Sequence, residues 1–367
     1  MTNTKRSRLI KFIALILPLL FVFVFAQEFL FYDYNYDTAR LENFYEEEKG
    51  SLDVILIGAS EVTHGYVPGY AYEKYGYTSY NYSVDSNMGS LYLTQLKEIL
   101  KHQSPEILIV DLSGFLVDND PHFFNSIILQ NYARGIPFSK NKLQMKLQYQ
   151  SDQTLSFLFP LIMYHGHPSV AYARLSALYA DLTKEAKEDP LKGALTVTRI
   201  YPSIGDEGKN TNDITDNVRA YLVDFITYCR DNNLDNVIFT NFPRKILDES
   251  DYHLLYLLGQ LEQIIEQYGY PVWNLQDDLD NIGIDKEQDF SDAYHLNIYG
   301  ALKLTDYFGE KLTNEYGLSP RTQSDANRLE WEECVSNTQE YIQMAKDMIQ
   351  AGNVAMLHEI ADIWLYR

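Results

Sequence analysis

Two short blocks of the sequence combine residue types that can carry out acyl chemistry. The first is Gly58-Ala59-Ser60, in which the serine directly follows an apolar run and opens a helical pattern. A serine at that point exposes its hydroxyl, and the amides of the helix start can face a developing oxyanion. The same serine would also serve as an ordinary helix cap, so this block alone leaves both interpretations open.

The second block is Asp292-Ala293-Tyr294-His295, which follows the last apolar run and directly precedes a helical pattern at 297–316. Residues three apart share a face on one turn. The Asp292 carboxylate could therefore hold the imidazole in one tautomer while the other ring nitrogen acts as a base. The alternative is a helix-capping aspartate beside a surface histidine. The two blocks together indicate a Ser-His-Asp arrangement more strongly than either does alone.

Short apolar runs alternate with helical patterns along most of the chain. The runs predict buried strands at 53–57, 107–110, 237–240 and 272–274, with a weaker candidate at 79–83. The helical patterns cover 90–102, 215–232, 250–267 and 297–316. This alternation predicts βαβ units and a three-layer α/β fold. Active sites of such folds lie beyond the carboxyl ends of the strands, so both blocks should meet at one edge of the sheet.

The remaining segments divide the chain into further parts. We expect an α/β domain over 51–318 with a mostly helical insertion at about 119–205, because the alternation breaks there. Residues 32–50 read as a short helical stalk, and 324–367 as a C-terminal helical region.

The N-terminus has the pattern of a targeting segment. Basic residues Lys5, Arg6, Arg8 and Lys11 precede an uncharged apolar run from Phe12 to Ala26. Counted from Leu9 to Phe31, the segment is long enough to span a bilayer, and its basic side should stay in the cytoplasm. We therefore predict a basic tip and transmembrane signal anchor over 1–31, with the rest outside the cell membrane. A cleaved signal peptide ending at Ala26 is the alternative.

Composition excludes several classes of protein. The formal net charge is −21, which gives no electrostatic basis for binding nucleic acid. The chain has 2 cysteines, so a disulfide framework or a multi-cysteine metal site is excluded. His165 and His167 have a spacing compatible with a metal, but no carboxylate or cysteine lies near them in sequence. No dinucleotide-binding fingerprint follows any strand, and we expect neither a metal nor a cofactor.

The two blocks together resemble those of the SGNH/GDSL hydrolase superfamily. Gly58-Ala59-Ser60 is similar to its nucleophile block, with Ala where many members have Asp, and Asp292-Ala293-Tyr294-His295 to its Asp-x-x-His block. The resemblance covers roughly 51–316 and implies a flavodoxin-like parallel sheet flanked by helices. The N-terminal segment, the nearby serine and the large insertion are more similar to the membrane-anchored DltD-like branch, whose members act on cell-envelope polymers.

The resemblance implies a role for each site residue. Ser60 would be the nucleophile, His295 the general base and Asp292 its orienting partner. The family's Asn block should fall near Asp111, where no Asn stands. Its Gly block could be met by Gly89, and with Asn87 this residue is our candidate for the oxyanion hole. His64, one turn beyond Ser60, could be a rival base, but we interpret it as an exposed helix residue.

These observations predict a membrane-anchored extracytoplasmic serine esterase or O-acyltransferase that works through an acyl-enzyme on Ser60. The expected partners are an acylated envelope glycopolymer or a small ester, the membrane through the N-terminal helix, and a membrane protein. The alternative is a non-catalytic envelope assembly or polymer-binding protein that keeps the same scaffold. The complete Ser-His-Asp set favours the enzyme, and the missing Asn block favours the binding protein.

Overall fold

The computed structural model describes a defined set of the 367 residues. The described residues are 3–26, 36–117, 129, 132–133, 135–148, 161–162, 166, 172, 175, 190–195, 212–247 and 249–352. Most of the predicted insertion, residues 353–367 and the histidines His165 and His167 lie outside this set.

Five parallel strands form one sheet in the order β2-β1-β3-β4-β5. The strands are β1 (Val54–Gly58), β2 (Ser79–Ser83), β3 (Ile107–Asp111), β4 (Val237–Asn241) and β5 (Val272–Asn274). Ile55 of β1 lies between Tyr80 of β2 and Leu108 of β3. Strands β1 to β4 are buried along their whole length, which explains why β1, β3 and β4 read as mainly apolar runs, whereas β2 alternates tyrosine with serine and asparagine. The four strand predictions and the weaker candidate at 79–83 are confirmed.

Helices cover both faces of this sheet. In chain order, the helices that the structure describes are α1 (Asn3–Phe25), α2 (Tyr36–Phe44), α3 (Ser60–Gly65), α4 (Pro68–Tyr75), α5 (Gly89–His102), α6 (Ser113–Val117), α7 (Lys140–Gln148), α8 (Asp216–Asp231), α9 (Glu249–Gln267), α10 (Leu279–Ile282), α11 (Ile298–Asn314) and α12 (Asp325–Gln350).

Alternate residues of each central strand point into separate cores, as the two-residue period of a strand requires. Ile55 and Ile57 pack with α2, α5, α8 and α9 on one face. Val54 and Leu56 pack with α3, α4 and α11 on the other face. The chain is therefore a three-layer α/β fold, as the sequence predicted.

The predicted stalk includes α2, and α2 does not stand apart from the domain. Its side chains Leu41 and Phe44 are fully buried. Phe44 packs edge-on against Tyr80 and Tyr82 of β2, with ring centroids 5.3 and 4.7 Å apart. The apolar face of α2 thus belongs to the core, and it covers the end of the sheet next to β2.

The N-terminal segment forms the helix α1. Within the described ranges, no helix meets the length and hydropathy that a membrane span requires. The anchor over 1–31 thus stays a prediction from the sequence.

Two segments beyond the sheet pack onto the domain. From the insertion, residues 190–195 lie against β2 and α3, with the Asn81 amide donating to the Lys192 carbonyl at 3.1 Å. From the C-terminal region, α12 packs along α4 and buries Trp331 completely.

Candidate active site

The nucleophile candidate lies at the junction between β1 and α3. Ser60 is the first residue of α3, and Ala59 before it is extended. The turn needs a glycine at position 58, because a Cβ there would lie 2.2 Å from Val62 Cγ2 and 2.9 Å from Asp111 Cβ. The close approach of β3 to the end of β1 therefore fixes the sharp turn that presents Ser60 at the edge of the sheet.

The Asp-x-x-His block lies on a loop between α10 and α11. The amide of Ser291 donates to the His295 carbonyl at 2.9 Å, which closes the loop around both residues. Asn297 then caps α11, its side chain accepting from the amide of Tyr299 at 2.9 Å. The sequence predicted a helix directly after this loop. The Asn297 cap explains why α11 begins there.

The structure brings Ser60, His295 and Asp292 together. His295 Nε2 lies 2.7 Å from Ser60 Oγ, and His295 Nδ1 lies 2.8 Å from Asp292 Oδ2. The other carboxylate oxygen, Asp292 Oδ1, accepts from the amides of Tyr294 and His295, both at 2.8 Å. Because an ionised carboxylate only accepts, Nδ1 carries the ring proton and Nε2 is left to accept the Ser60 hydroxyl. These are the contacts of a nucleophile, a general base and its orienting group.

The electrostatics of the pair agree with this arrangement. Burial acts to lower the pKa of His295, but the hydrogen bond and charge of Asp292 outweigh burial and raise that pKa. Burial acts to raise the pKa of Asp292, and the hydrogen bond and charge of His295 outweigh it and lower that pKa. Both shifts favour an imidazolium facing a carboxylate, which is the charge distribution that forms when Ser60 loses its proton.

His64 does not lie on the surface, contrary to our interpretation from the sequence. Its side chain is buried, and its Nδ1 hydrogen-bonds with the carbonyl of Leu195. Its ring lies perpendicular to that of His295, with centroids 4.8 Å apart. Burial, and then the charge of His295, lower the pKa of His64 to about 4, so this imidazole is neutral near pH 7. The apolar side of α3 faces the core. The helical periodicity alone would leave His64 exposed, but Leu195 of the insertion covers it.

The oxyanion candidates lie just beyond β2, at the same edge of the sheet. The Asn87 side-chain amide donates to the Gly58 carbonyl at 2.8 Å and to Gln95 Oε1 at 3.1 Å. These contacts use both amide hydrogens, so in this conformation the Asn87 side chain has none left for an oxyanion. Gly89 begins α5 and packs tightly on Phe115, because a Cβ there would lie 2.3 Å from Phe115 Cδ1. Both residues serve packing in this structure, and their part in an oxyanion hole stays a prediction.

Sequence reasoning expected Asp111 near the site, at the position of the family's Asn block, but gave no role to Asp111 or to Arg244. Asp111 ends β3, and burial together with the charge of Glu61 raises the pKa of Asp111 to about 7. Arg244 follows β4 and is nearly buried, with its guanidinium 3.6 Å from Glu61 Oε1. Asp111 and Arg244 each stand at or just after a strand end on the site edge, and that position was the signal that could have identified them.

In the described part of the chain, no group of three or more His, Cys, Asp and Glu side chains is arranged to hold a metal ion.

Comparison with known proteins assigns no family. The chain matches none of the protein-family models and none of the curated protein sequences with which it was compared. The function therefore has to be argued from the geometry of the site.

Proposed function

We propose that this protein is a serine esterase or O-acyltransferase of the SGNH/GDSL type that acts through an acyl-enzyme on Ser60. One observation carries the proposal. A serine hydroxyl at a strand-to-helix turn lies 2.7 Å from an imidazole nitrogen whose partner nitrogen lies 2.8 Å from a carboxylate. This geometry is the one that nucleophilic acyl transfer requires. The order of strands and motif blocks adds support for the SGNH type.

The first half of the reaction forms the acyl-enzyme. Ser60 Oγ attacks the carbonyl carbon of the substrate ester while His295 Nε2 takes the hydroxyl proton. Asp292 holds the ring and balances the charge of the imidazolium. The tetrahedral intermediate then collapses, the carbon–oxygen bond to the leaving alcohol breaks, and the alcohol oxygen takes the proton from His295. The Ser60 amide, at the start of α3, is the donor assigned to the oxyanion.

The second half regenerates the enzyme. A water molecule, or the hydroxyl of an acceptor, gives its proton to His295 and attacks the acyl carbon. Ser60 leaves and recovers its proton from His295. Water as the attacking group gives hydrolysis, and an acceptor hydroxyl gives acyl transfer.

The substrate and location belong to the same proposal. The basic residues and apolar run of residues 1–31 support a membrane-anchored protein whose other residues lie outside the cytoplasm. A protein held there would meet acylated glycopolymers of the cell envelope, which are the substrates that the DltD-like resemblance suggests.

Covalent labelling with a fluorophosphonate probe tests the proposal directly, because the probe reacts only with an activated serine. We expect the wild-type protein to be labelled at Ser60 and Ser60→Ala to give no label. Ser319→Ala is the control, since Ser319 is exposed and lies in a loop between α11 and α12, and this variant should label like the wild type. Equal labelling of wild type and Ser60→Ala would contradict an acyl-enzyme on Ser60.

A second candidate function has one observation in its favour. The side-chain hydrogens of Asn87 are already used, which leaves the Ser60 amide as the one oxyanion donor that we assign. A site with a weak oxyanion hole fits a non-catalytic envelope assembly or polymer-binding protein. This protein would show no label on Ser60 and no acyl release from an activated ester, yet would still bind the polymer.

A further inference from the structure

We propose that His64 is a positioning residue that holds the ring of His295 in its catalytic orientation, through the perpendicular contact between the two rings. This inference rests on the proposed function of the site. It assigns His64 no proton transfer and no contact with the substrate.

The hydrogen bonds of His295 leave one motion of its ring unrestrained. Its two nitrogens are held by Asp292 and Ser60 at opposite sides of the ring. Rotation of the ring about the line that joins Asp292 and Ser60 weakens either hydrogen bond only slightly. Once Ser60 is acylated it has no hydroxyl to offer, so of these two hydrogen bonds the one with Asp292 remains during deacylation. A packing contact against the ring would steady it in the second half of the reaction.

His64 is placed to supply that contact. It lies four residues after Ser60 on α3, so the nucleophile and the packing ring belong to one short helix. Its side chain is 2% exposed, and its ring is perpendicular to that of His295 at a centroid distance of 4.8 Å. A buried ring can shift less than an exposed one, and an error of about 1 Å in a catalytic group can cost roughly a hundredfold in rate.

The insertion in turn fixes His64. The Leu195 carbonyl accepts a hydrogen bond from His64 Nδ1, and the Leu195 amide donates to the Thr63 carbonyl at 3.0 Å. These two bonds tie residues 190–195 to consecutive residues of α3.

The same segment is tied to the domain at Lys192. Its ammonium, buried with the rest of the side chain, lies 2.7 Å from Glu47 Oε1 and also pairs with Glu330 of α12. Because Lys192 and Leu195 are both held, the carbonyl that orients His64 has little freedom to move.

The charges around both rings suit this role. Besides His64, the charged groups that face His295 are Asp292 on its own loop, Glu61 on α3 and Asp85 after β2. Burial, and then the positive charges of His295 and Arg40, lower the pKa of His64 to about 4, while the charge of Asp85 opposes that shift. His64 therefore adds no positive charge beside the imidazolium that forms on His295 during catalysis.

Two substitutions separate the ring contact from the hydrogen bond. In His64→Asn, the side-chain nitrogen can take the place of Nδ1 and donate to Leu195, but the ring is lost. In His64→Phe, a ring of similar size remains, but the Leu195 carbonyl loses its donor and the fold should be less stable. A purely structural role for His64 would make His64→Phe the more damaged enzyme.

We expect the opposite order in activity. With an activated ester, kcat of His64→Asn should fall by at least about tenfold with KM within about twofold, while His64→Phe should turn over several times faster than His64→Asn. The pH profile of kcat/KM gives a second readout. Loss of the ring admits water beside His295, so the acid limb of His64→Asn should move to higher pH. Unchanged kcat in His64→Asn would overturn the proposal.

A readout that needs no turnover separates this proposal from the proposed function. Imidazole nitrogen NMR of the full-length protein should show His295 as a single Nδ1-protonated tautomer in the wild type, with broadened resonances in His64→Asn. This result in a protein without fluorophosphonate labelling would remove the proposed function and leave the positioning role in place. Sharp, unshifted His295 resonances in His64→Asn would overturn the positioning role whatever the labelling shows.

Discussion

At the scale of single residues, the chemistry of this site depends on which nitrogen of His295 carries the proton. Asp292 decides this, because its Oδ2 accepts from Nδ1 while its Oδ1 is fixed by two backbone amides at 2.8 Å. The loop thus orients the carboxylate before the carboxylate orients the ring.

Replacing Asp292 by Asn should leave the fold intact and lower kcat by about 10³- to 10⁴-fold, because an amide can donate to His295 and so favours the wrong tautomer. The measurement is acyl release from an activated ester, with circular dichroism to check the fold. Asp280→Asn is the matched control, since Asp280 is exposed on α10 and should leave kcat unchanged. Turnover within a factor of a few of the wild type would show that Asp292 does not orient the base.

The pH dependence of activity follows from the raised pKa of His295. The base works only when its Nε2 is unprotonated, so kcat/KM should fall as the pH drops through a pKa above the ordinary histidine value of about 6.5. In Asp292→Asn, the opposing effect of burial is no longer outweighed, so the acid limb of the residual activity should shift to lower pH. A profile that is flat between about pH 5 and 8 would argue against His295 as the base.

At the scale of elements, the site depends on how closely β1, β3 and α3 approach each other. Gly58 is the point of contact, with Val62 of α3 on one side and Asp111 of β3 on the other. The turn into α3 has no room for a side chain here, and the position of Ser60 follows from that contact.

Gly58→Ala should therefore destabilise the fold by roughly 1–3 kcal/mol and also lower kcat, because relief of the clash moves the start of α3. Gly259→Ala is the control for the loss of a glycine. Gly259 lies inside α9 with nothing within 4 Å of the added Cβ, so this change should be neutral or stabilising by up to about 1 kcal/mol. Chemical denaturation and kcat measure both effects, and equal stability of the two variants would contradict the packing argument.

At the scale of the whole molecule, segments distant in sequence converge on one edge of the sheet. Arg40 of α2 donates to Ser83 at the end of β2 at 3.2 Å, and its guanidinium pairs with Asp37 at 2.6 Å. Residues 190–195 approach the same edge from the insertion and reach His64. The site is thus enclosed by parts of the chain that lie outside the alternating βα pattern.

The N-terminal prediction belongs to this scale. We expect the mature protein to keep residues 1–31 and to fractionate with membranes, because the basic flank and apolar length favour an uncleaved anchor. Mass spectrometry of the mature N-terminus measures this, and a chain that lacks residues 1–31 should leave the membrane fraction. A mature chain that begins at Gln27 would instead identify a cleaved signal peptide.

The sequence by itself determined the sheet and the three residues that meet on it. Strands buried on both faces are largely apolar, as β1 and β3 are, and parallel strands put all their carboxyl ends at one edge. Local patterns therefore placed β1 to β5 within one residue or so and brought Ser60, Asp292 and His295 to the same side. Their roles could be argued before any distance was known.

Only the tertiary structure decided what surrounds those residues. The burial of His64 depends on Leu195, 131 residues away. The side-chain amide of Asn87 donates its hydrogens to the Gly58 carbonyl and to Gln95 on α5. The packing of α2 likewise depends on β2. Periodicity reports which face of an element is apolar, but it does not report which distant segment covers that face. Contacts of this range are set by how the whole chain packs, and for that reason the contact between the rings of His64 and His295 was visible only in the folded molecule.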